Sequence, residues 1–185
     1  LSAQQIEIAG HPVWAMRLSY AGELGWEIHG PAASMLAIYD ALWAAGESHG
    51  VMDYGSFAMN ALRMEKMFKG AGELTNEVTL PEADVMRFVK LDKKFVGKEA
   101  TLKARDEGVS QKLVMMVVDT EGIDVAHDEA ILKDGTPVGY VSSGGYAHHV
   151  GQSMAMGYVA DEFAAPGTTL QVEILGSFYD AEVLS

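Results

Sequence analysis

The sequence predicts an α+β protein: an α/β lobe with a hairpin and packed helices, followed by a small antiparallel six-stranded β-barrel. Three observations point there. Apolar residues recur at helical spacing in the first part of the chain. After Gly108 the pattern shifts to six short β-like runs punctuated by turn residues. And 185 residues, 49% of them hydrophobic and 21% charged, are enough for one large domain or two small ones. The expected division is 1–107 for the first lobe and 108–185 for the barrel.

Val13 to Tyr20 and Leu24 to His29 are rich in β-formers, and Ala21-Gly22-Glu23 between them reads as a tight hairpin turn. Pro31 suits a first helical turn. Behind it Met35, Leu36, Ile38, Tyr39, Leu42 and Trp43 follow a helical period that ends near Gly50. A second helix is expected from about Phe57 to Met67, with Phe57, Ala61, Met64 and Met67 on one core-packing stripe. Lys69 to Thr79 is polar and turn-rich, Gly97 to Ala104 reads as a last helix, and Arg105 to Gly108 as a linker. The six β-like runs are Leu113–Val118, Ala130–Leu132, Val138–Ser142, Ser153–Val159, Thr169–Leu175 and Tyr179–Leu184. Asp134-Gly135, Ser143-Gly144-Gly145 and Ala165-Pro166-Gly167 are the turn signals among them.

Composition removes several functions. The chain has 13 Lys and Arg against 26 Asp and Glu, a net charge of −13. Such a surface repels phosphate backbones and anionic lipid, so neither nucleic acid nor membrane is an expected partner. There is no cysteine, which excludes a disulfide framework, a thiolate zinc site and a cysteine nucleophile, and fits a reducing, cytoplasmic setting. No apolar run approaches the roughly 20 residues that span a bilayer. The sequence opens on Leu1 with no targeting pattern and reads as part of a longer polypeptide.

The stretch Ser19 to Ile28 concentrates chemistry: two carboxylates, two aromatics and two glycines around one expected turn. Alternation sends Leu24, Trp26 and Ile28 to one face and Glu27 to the other. A carboxylate suits a flat heterocycle with adjacent N–H donors, since its two oxygens accept two parallel bonds. Periodicity alone also fits an exposed hairpin with solvated glutamates.

The run YAGELGWEIHGP resembles the Tyr-Thr-Gly-Glu-x-Gly-x-Glu signature of the glycine-cleavage T-protein (aminomethyltransferase) superfamily. Ala61 to Lys66 is similar to its Leu-Arg-x-Glu helix, and Phe88 to Lys93 with Phe95 to Ala100 to its Val-Lys-x-x-Lys…Phe-x-Gly-Lys-x-Ala stretch. Gly139 to Gly144, Met154 to Val159 and Pro166-Gly167-Thr168 resemble its barrel motifs. Met59 to Lys66, Glu73 to Glu77 and Tyr146 to His149 resemble the branch of dimethylglycine and sarcosine dehydrogenases and oxidases. The resemblance implies a tetrahydrofolate-binding region that positions folate to capture a one-carbon unit, with FAD in a missing upstream domain. It makes Tyr20 and Trp26 folate-contacting rings and Glu27 the carboxylate that pairs with the pterin.

Two departures bear on this. Met59 stands where T-proteins proper carry a folate-contacting arginine, which argues against a stand-alone aminomethyltransferase or folate-dependent demethylase, the second reading. The superfamily's catalytic aspartate belongs to an N-terminal half absent here, so the resemblance implies no catalytic residue in this sequence. That missing half is an expected partner, and apolar surface left open by it would favour a homo-oligomer. A non-catalytic scaffold or docking module is the reading from another class.

Other constellations read as structural. His148 and His149 would face opposite ways on a strand and lack a third ligand, so no metal site is expected. His127 and Asp128 read likewise. Arg63 and Glu65 are two apart on a helix and do not face one another; a structural ion pair is expected of Arg63. Glu73 and Glu77 read as a solvated loop, with a substrate mouth as the alternative. Ser142 to Gly145 has neither the nucleophile elbow nor the phosphate-loop spacing, and no dinucleotide fingerprint is present.

Overall fold

A computed structural model describes residues 2–184. In it Ala9 and Gly10, both at positive φ (50° and 77°), turn the chain between two paired strands. Those strands are β1 (Ala3–Ile8) and β2 (His11–Met16), and the hairpin fits the two-residue turns that match strand twist. β3 (Glu27–His29) pairs with the other edge of β2, giving a three-stranded antiparallel sheet in the order β1-β2-β3. This differs from the expected tight hairpin at Ala21 to Glu23. Strand β2 ends at Met16 and residues 17–26 form a longer connection, because side-chain bonds inside that loop replace strand pairing.

Helix α1 (Met35–Gly46) lies against the sheet face that carries Val13. A Cβ on Gly30 would sit 3.0 Å from both Met35 and Val13 and 3.4 Å from Ile38, so the glycine lets helix and strand close together. Ile38 and Val13 are buried there. Helix α2 (Ser56–Met64) starts where expected but is shorter. Phe57 is 93% exposed, so it does not belong to the core stripe, whereas Met64 is 1% exposed.

The chain divides into two units, one up to Arg63 and one from Met64. In the second, helix α3 (Lys98–Glu107) runs through the expected linker at Arg105, ending at Gly108 in a φ 86° conformation. The six strands that follow are β4 (Gln111–Val118), β5 (Ala130–Lys133), β6 (Thr136–Ala147), β7 (Gln152–Ala160), β8 (Thr169–Ile174) and β9 (Ser177–Val183). They form a closed antiparallel barrel in the order β4-β7-β6-β5-β8-β9, which leaves no open edge.

Strand β6 runs straight through Ser143-Gly144-Gly145, which the sequence marks as a turn. The two glycines stay paired with Ala155 and Met154 of β7, and only the register shifts between Val141 and Ser143. Barrel residues alternate between two packed regions. Val114, Met116, Val118, Ala155 and Val159 join the interior cluster, while Leu113, Met115, Met154, Met156 and Tyr158 pack with Met64 and Ala83. The 64–85 segment thus covers the outer face of β4 and β7, which explains why both strands are apolar almost without interruption. Each such buried side chain contributes about 1.5–3 kcal/mol. Among the described residues no helix is long and apolar enough to cross a membrane.

Candidate functional site

In the first unit, Met16 pairs with Glu27 and Trp14 with His29, so these four residues share one face of the sheet. Ala15 and Ile28 point to the other. Glu27 Oε2 lies 3.1 Å from His29 Nε2, with the two side chains 46% and 53% exposed respectively. Among the described residues no group is hydrogen-bonded to the remaining oxygen, Oε1. Trp14 is 51% exposed on the same face.

The 17–26 connection is held by its own polar groups. Arg17 Nη1 donates to the Gly25 carbonyl at 2.9 Å, and its guanidinium stands 5.7 Å from the Trp26 ring centroid. The Glu23 N–H donates to Ser19 Oγ at 3.1 Å, a side-chain bond that closes the turn four residues on. Tyr20 rides on this closed loop and is 40% exposed. Trp26 faces the opposite way from Glu27, as alternation predicts. With Ile6, Ile8, Ala15, Ile28 and Leu42 it lines an apolar groove of about 470 Å³. The structure therefore brings Glu27 together with Trp14, Met16 and His29, and sets Trp26 on the other face. Trp14 was missed in the sequence, where its period-two relation to Met16 across a ten-residue gap from Glu27 is the only signal.

Chemically, a half-exposed carboxylate beside an open indole, with a tyrosine on an adjoining pinned loop, suits a flat ring that offers adjacent N–H donors. Among the described residues no three His, Asp or Glu side chains converge on one point.

The second unit holds a polar junction that sequence reasoning misplaced. Glu73, expected in a solvated loop, is fully buried. Its Oε2 accepts the Gly70 N–H at 2.7 Å, and its Oε1 accepts the hydroxyls of Ser142 at 2.8 Å and Ser143 at 2.6 Å. The Tyr158 hydroxyl donates to the Glu73 carbonyl at 2.7 Å. Burial, with Tyr140 and the carboxyls of Glu73 and Glu82 nearby, pushes the Tyr158 phenol up, so it stays protonated. Glu77 is exposed, as a solvated loop residue should be.

The other candidates have local partners. Arg63 is 5% exposed, and its Nε and Nη2 donate to Asn60 Oδ1 at 3.0 and 2.7 Å. His149 lies in the turn after β6, where its N–H and Nδ1 meet the two oxygens of Glu65 at 2.9 and 2.8 Å. The His148 ring stands edge-on to Tyr146, and His127 Nδ1 is 2.7 Å from Asp128.

Comparison with known proteins assigns the family. Residues 1–93 match the model of the GCVT N-terminal domain, and residues 111–185 that of the glycine cleavage T-protein C-terminal barrel domain. The chain belongs to the glycine cleavage T-protein family. It is 37% identical over its whole length to the mitochondrial dimethylglycine dehydrogenase of Homo sapiens, of which it spans 22%. It is 34% identical to an aminomethyltransferase of Halothermothrix orenii, with 96% of the chain and 50% of that protein covered. The crystal structure of aminomethyltransferase T from Bartonella henselae superposes with a TM-score of 0.82 at 27% identity, covering 94% of this chain and 48% of that one. The chain thus spans about a fifth of the dehydrogenase and about half of the aminomethyltransferases.

Proposed function

We propose that this T-protein chain is the tetrahydrofolate-binding C-terminal region of a flavin-dependent dimethylglycine/sarcosine-type dehydrogenase or oxidase. Residues 1–107 hold the folate and 108–185 form the supporting barrel domain. The observation that carries the reading is Glu27: a half-exposed carboxylate with one oxygen outside its His29 contact, beside Trp14 and the loop of Tyr20. The 37% identity to a dimethylglycine dehydrogenase along the whole chain supports the branch.

Within this reading Glu27 accepts the paired N–H donors of the pterin, exchanging its His29 contact for the ligand. Tyr20 offers a stacking ring, while Trp26, on the opposite face, steadies the Tyr20 loop through its contact with the Arg17 guanidinium. The Arg17 to Gly25 bond keeps the loop that bears Tyr20 from having to order on binding, which saves affinity. Bound tetrahydrofolate supplies the amine nitrogens that take up the one-carbon unit made upstream. The flavin belongs to that upstream part, since this sequence has no dinucleotide fingerprint. The chain's own share is to bind and orient, and orientation alone accelerates such a capture strongly.

Glu27→Gln in the intact polypeptide that carries this sequence tests the proposal. It should weaken tetrahydrofolate binding by about 1–3 kcal/mol, the worth of a charge-assisted bond. Unchanged affinity removes Glu27 from the site. The stand-alone aminomethyltransferase reading draws support from the half-length match to that enzyme. Met59, in place of the cation found in T-proteins proper, weighs against it.

A further inference from the structure

Five of the chain's 13 Lys and Arg stand in one short stretch, flanked by Asp84 and Glu99. Between Val85 and Lys98 stand Arg87, Lys90, Lys93, Lys94 and Lys98 against a single acid, Asp92. That stretch carries +4 in a chain of −13, so the remainder carries −17. It is also a surface feature. It runs from the short 3-10 turn Met86–Phe88 to the first residue of α3, Lys98, with no other regular element among the described residues, and Lys90, Lys93 and Lys94 are exposed.

Elsewhere in this unit four of the six cations find acids, and Lys133 donates to the Thr169 carbonyl instead. Lys69 meets Asp84 at 3.2 Å, Lys112 meets Asp161 at 2.6 Å, Arg105 meets Asp106 at 2.6 Å and Lys103 lies 3.8 Å from Glu107. Among the described residues Lys90, Lys93, Lys94 and Lys98 have no such partner, although acids outnumber bases two to one along the chain. Lys94 and Lys98, with Phe95 and one acid, Glu99, line a depression of about 550 Å³. Apolar side chains are interleaved: Phe88 is 68% exposed under the Arg87 guanidinium, and Val96 is fully exposed.

We propose that this arm is a docking surface for an acidic polypeptide segment bearing apolar side chains. Four unneutralised lysines attract carboxylates, and Phe88 and Val96 offer apolar contact that a purely charged chain would not use. The −17 elsewhere selects against long uniform polyanions, because their charge extends past the arm onto repelling surface, whereas a short acidic segment fits within about one screening length. This inference is independent of folate binding.

The test is fluorescence anisotropy of the chain against a labelled peptide of alternating glutamate and leucine, with its glutamine counterpart as control. Saturable binding of the glutamate peptide is expected, falling about tenfold as salt rises from about 50 to about 200 mM. The combined variant K90Q/K93Q/K94Q/K98Q should lose about tenfold, given four weak, salt-screened surface pairs, and F88A should weaken binding without changing the salt slope. K103Q, outside the arm, should bind as wild type, and circular dichroism establishes that each variant keeps its fold; K90Q/K93Q serves if the fourfold variant does not. Absent binding, equal binding of the glutamine peptide or unaltered affinity in the folded lysine variant would each overturn the proposal. So would tighter binding of a short DNA duplex or of phosphatidylserine vesicles.

Discussion

Replacing Glu73 by alanine should cost the second unit about 3–5 kcal/mol. The substitution removes, at a fully buried position, the acceptor of three bonds: from the Gly70 N–H, the Ser142 hydroxyl and the Ser143 hydroxyl. Ser142 keeps the Met156 carbonyl at 3.1 Å, so its loss is the smallest of the three. The other two bonds to a buried carboxylate are worth about 1.5–3 kcal/mol each. Against a domain stability of about 5–15 kcal/mol this is a large share. With a urea slope of about 1–3 kcal/mol/M, the unfolding midpoint should fall by roughly 2 M. Urea denaturation followed by far-UV circular dichroism reads this directly. Ser143→Ala should cost about 1.5–3 kcal/mol and Ser142→Ala less, in that order. A Glu73→Ala midpoint within error of wild type would refute the assignment of Glu73 as the clip between the 70–74 turn and strand β6.

Three further outcomes follow from the geometry. Tyr158 is held protonated by burial above its ordinary value of 10.0. The folded state therefore resists ionisation while the unfolded chain gains it, and stability should fall as pH climbs past about 10; Tyr158→Phe should flatten that fall in alkaline unfolding curves. Glu65, whose side chain is 6% exposed while its partner His149 is 65% exposed, should matter more than the histidine: Glu65→Ala costs about 1–3 kcal/mol and His149→Ala under about 1, measured by thermal unfolding. Gly157→Ala would put a Cβ 2.6 Å from the Tyr140 carbonyl and 2.7 Å from Ile131, so it should destabilise the barrel by about 1–3 kcal/mol; a neutral effect would mean that β6 and β7 can separate locally.

How far the sequence carries the fold depends on whether the deciding partner is near or far along the chain. The barrel strands are legible because alternation and turn residues are local. Strand β6 is misread at Ser143-Gly144-Gly145 because glycine there serves close approach: a Cβ on Gly144 would collide with the Val125 carbonyl carbon at 2.6 Å. The first hairpin is misplaced because Arg17, Ser19 and Gly25 close a loop through side chains, which no propensity registers. Glu73 looks like any loop glutamate until Ser142 and Ser143, about seventy residues later, come to meet it. Phe57 errs in the other direction, since helical spacing marks a stripe without saying where the stripe stops being covered. At the candidate site the opposed directions of Trp26 and Glu27 follow from alternation alone. Trp14 needed the β2–β3 register.

The most direct measurement is a crystal structure of this chain with tetrahydrofolate. The account predicts the pterin against the Tyr20 ring, with its adjacent N–H groups on the Glu27 carboxylate and the His29 contact broken. A pterin seated elsewhere, or a Glu27 carboxylate still paired with His29 at saturating ligand, would contradict it.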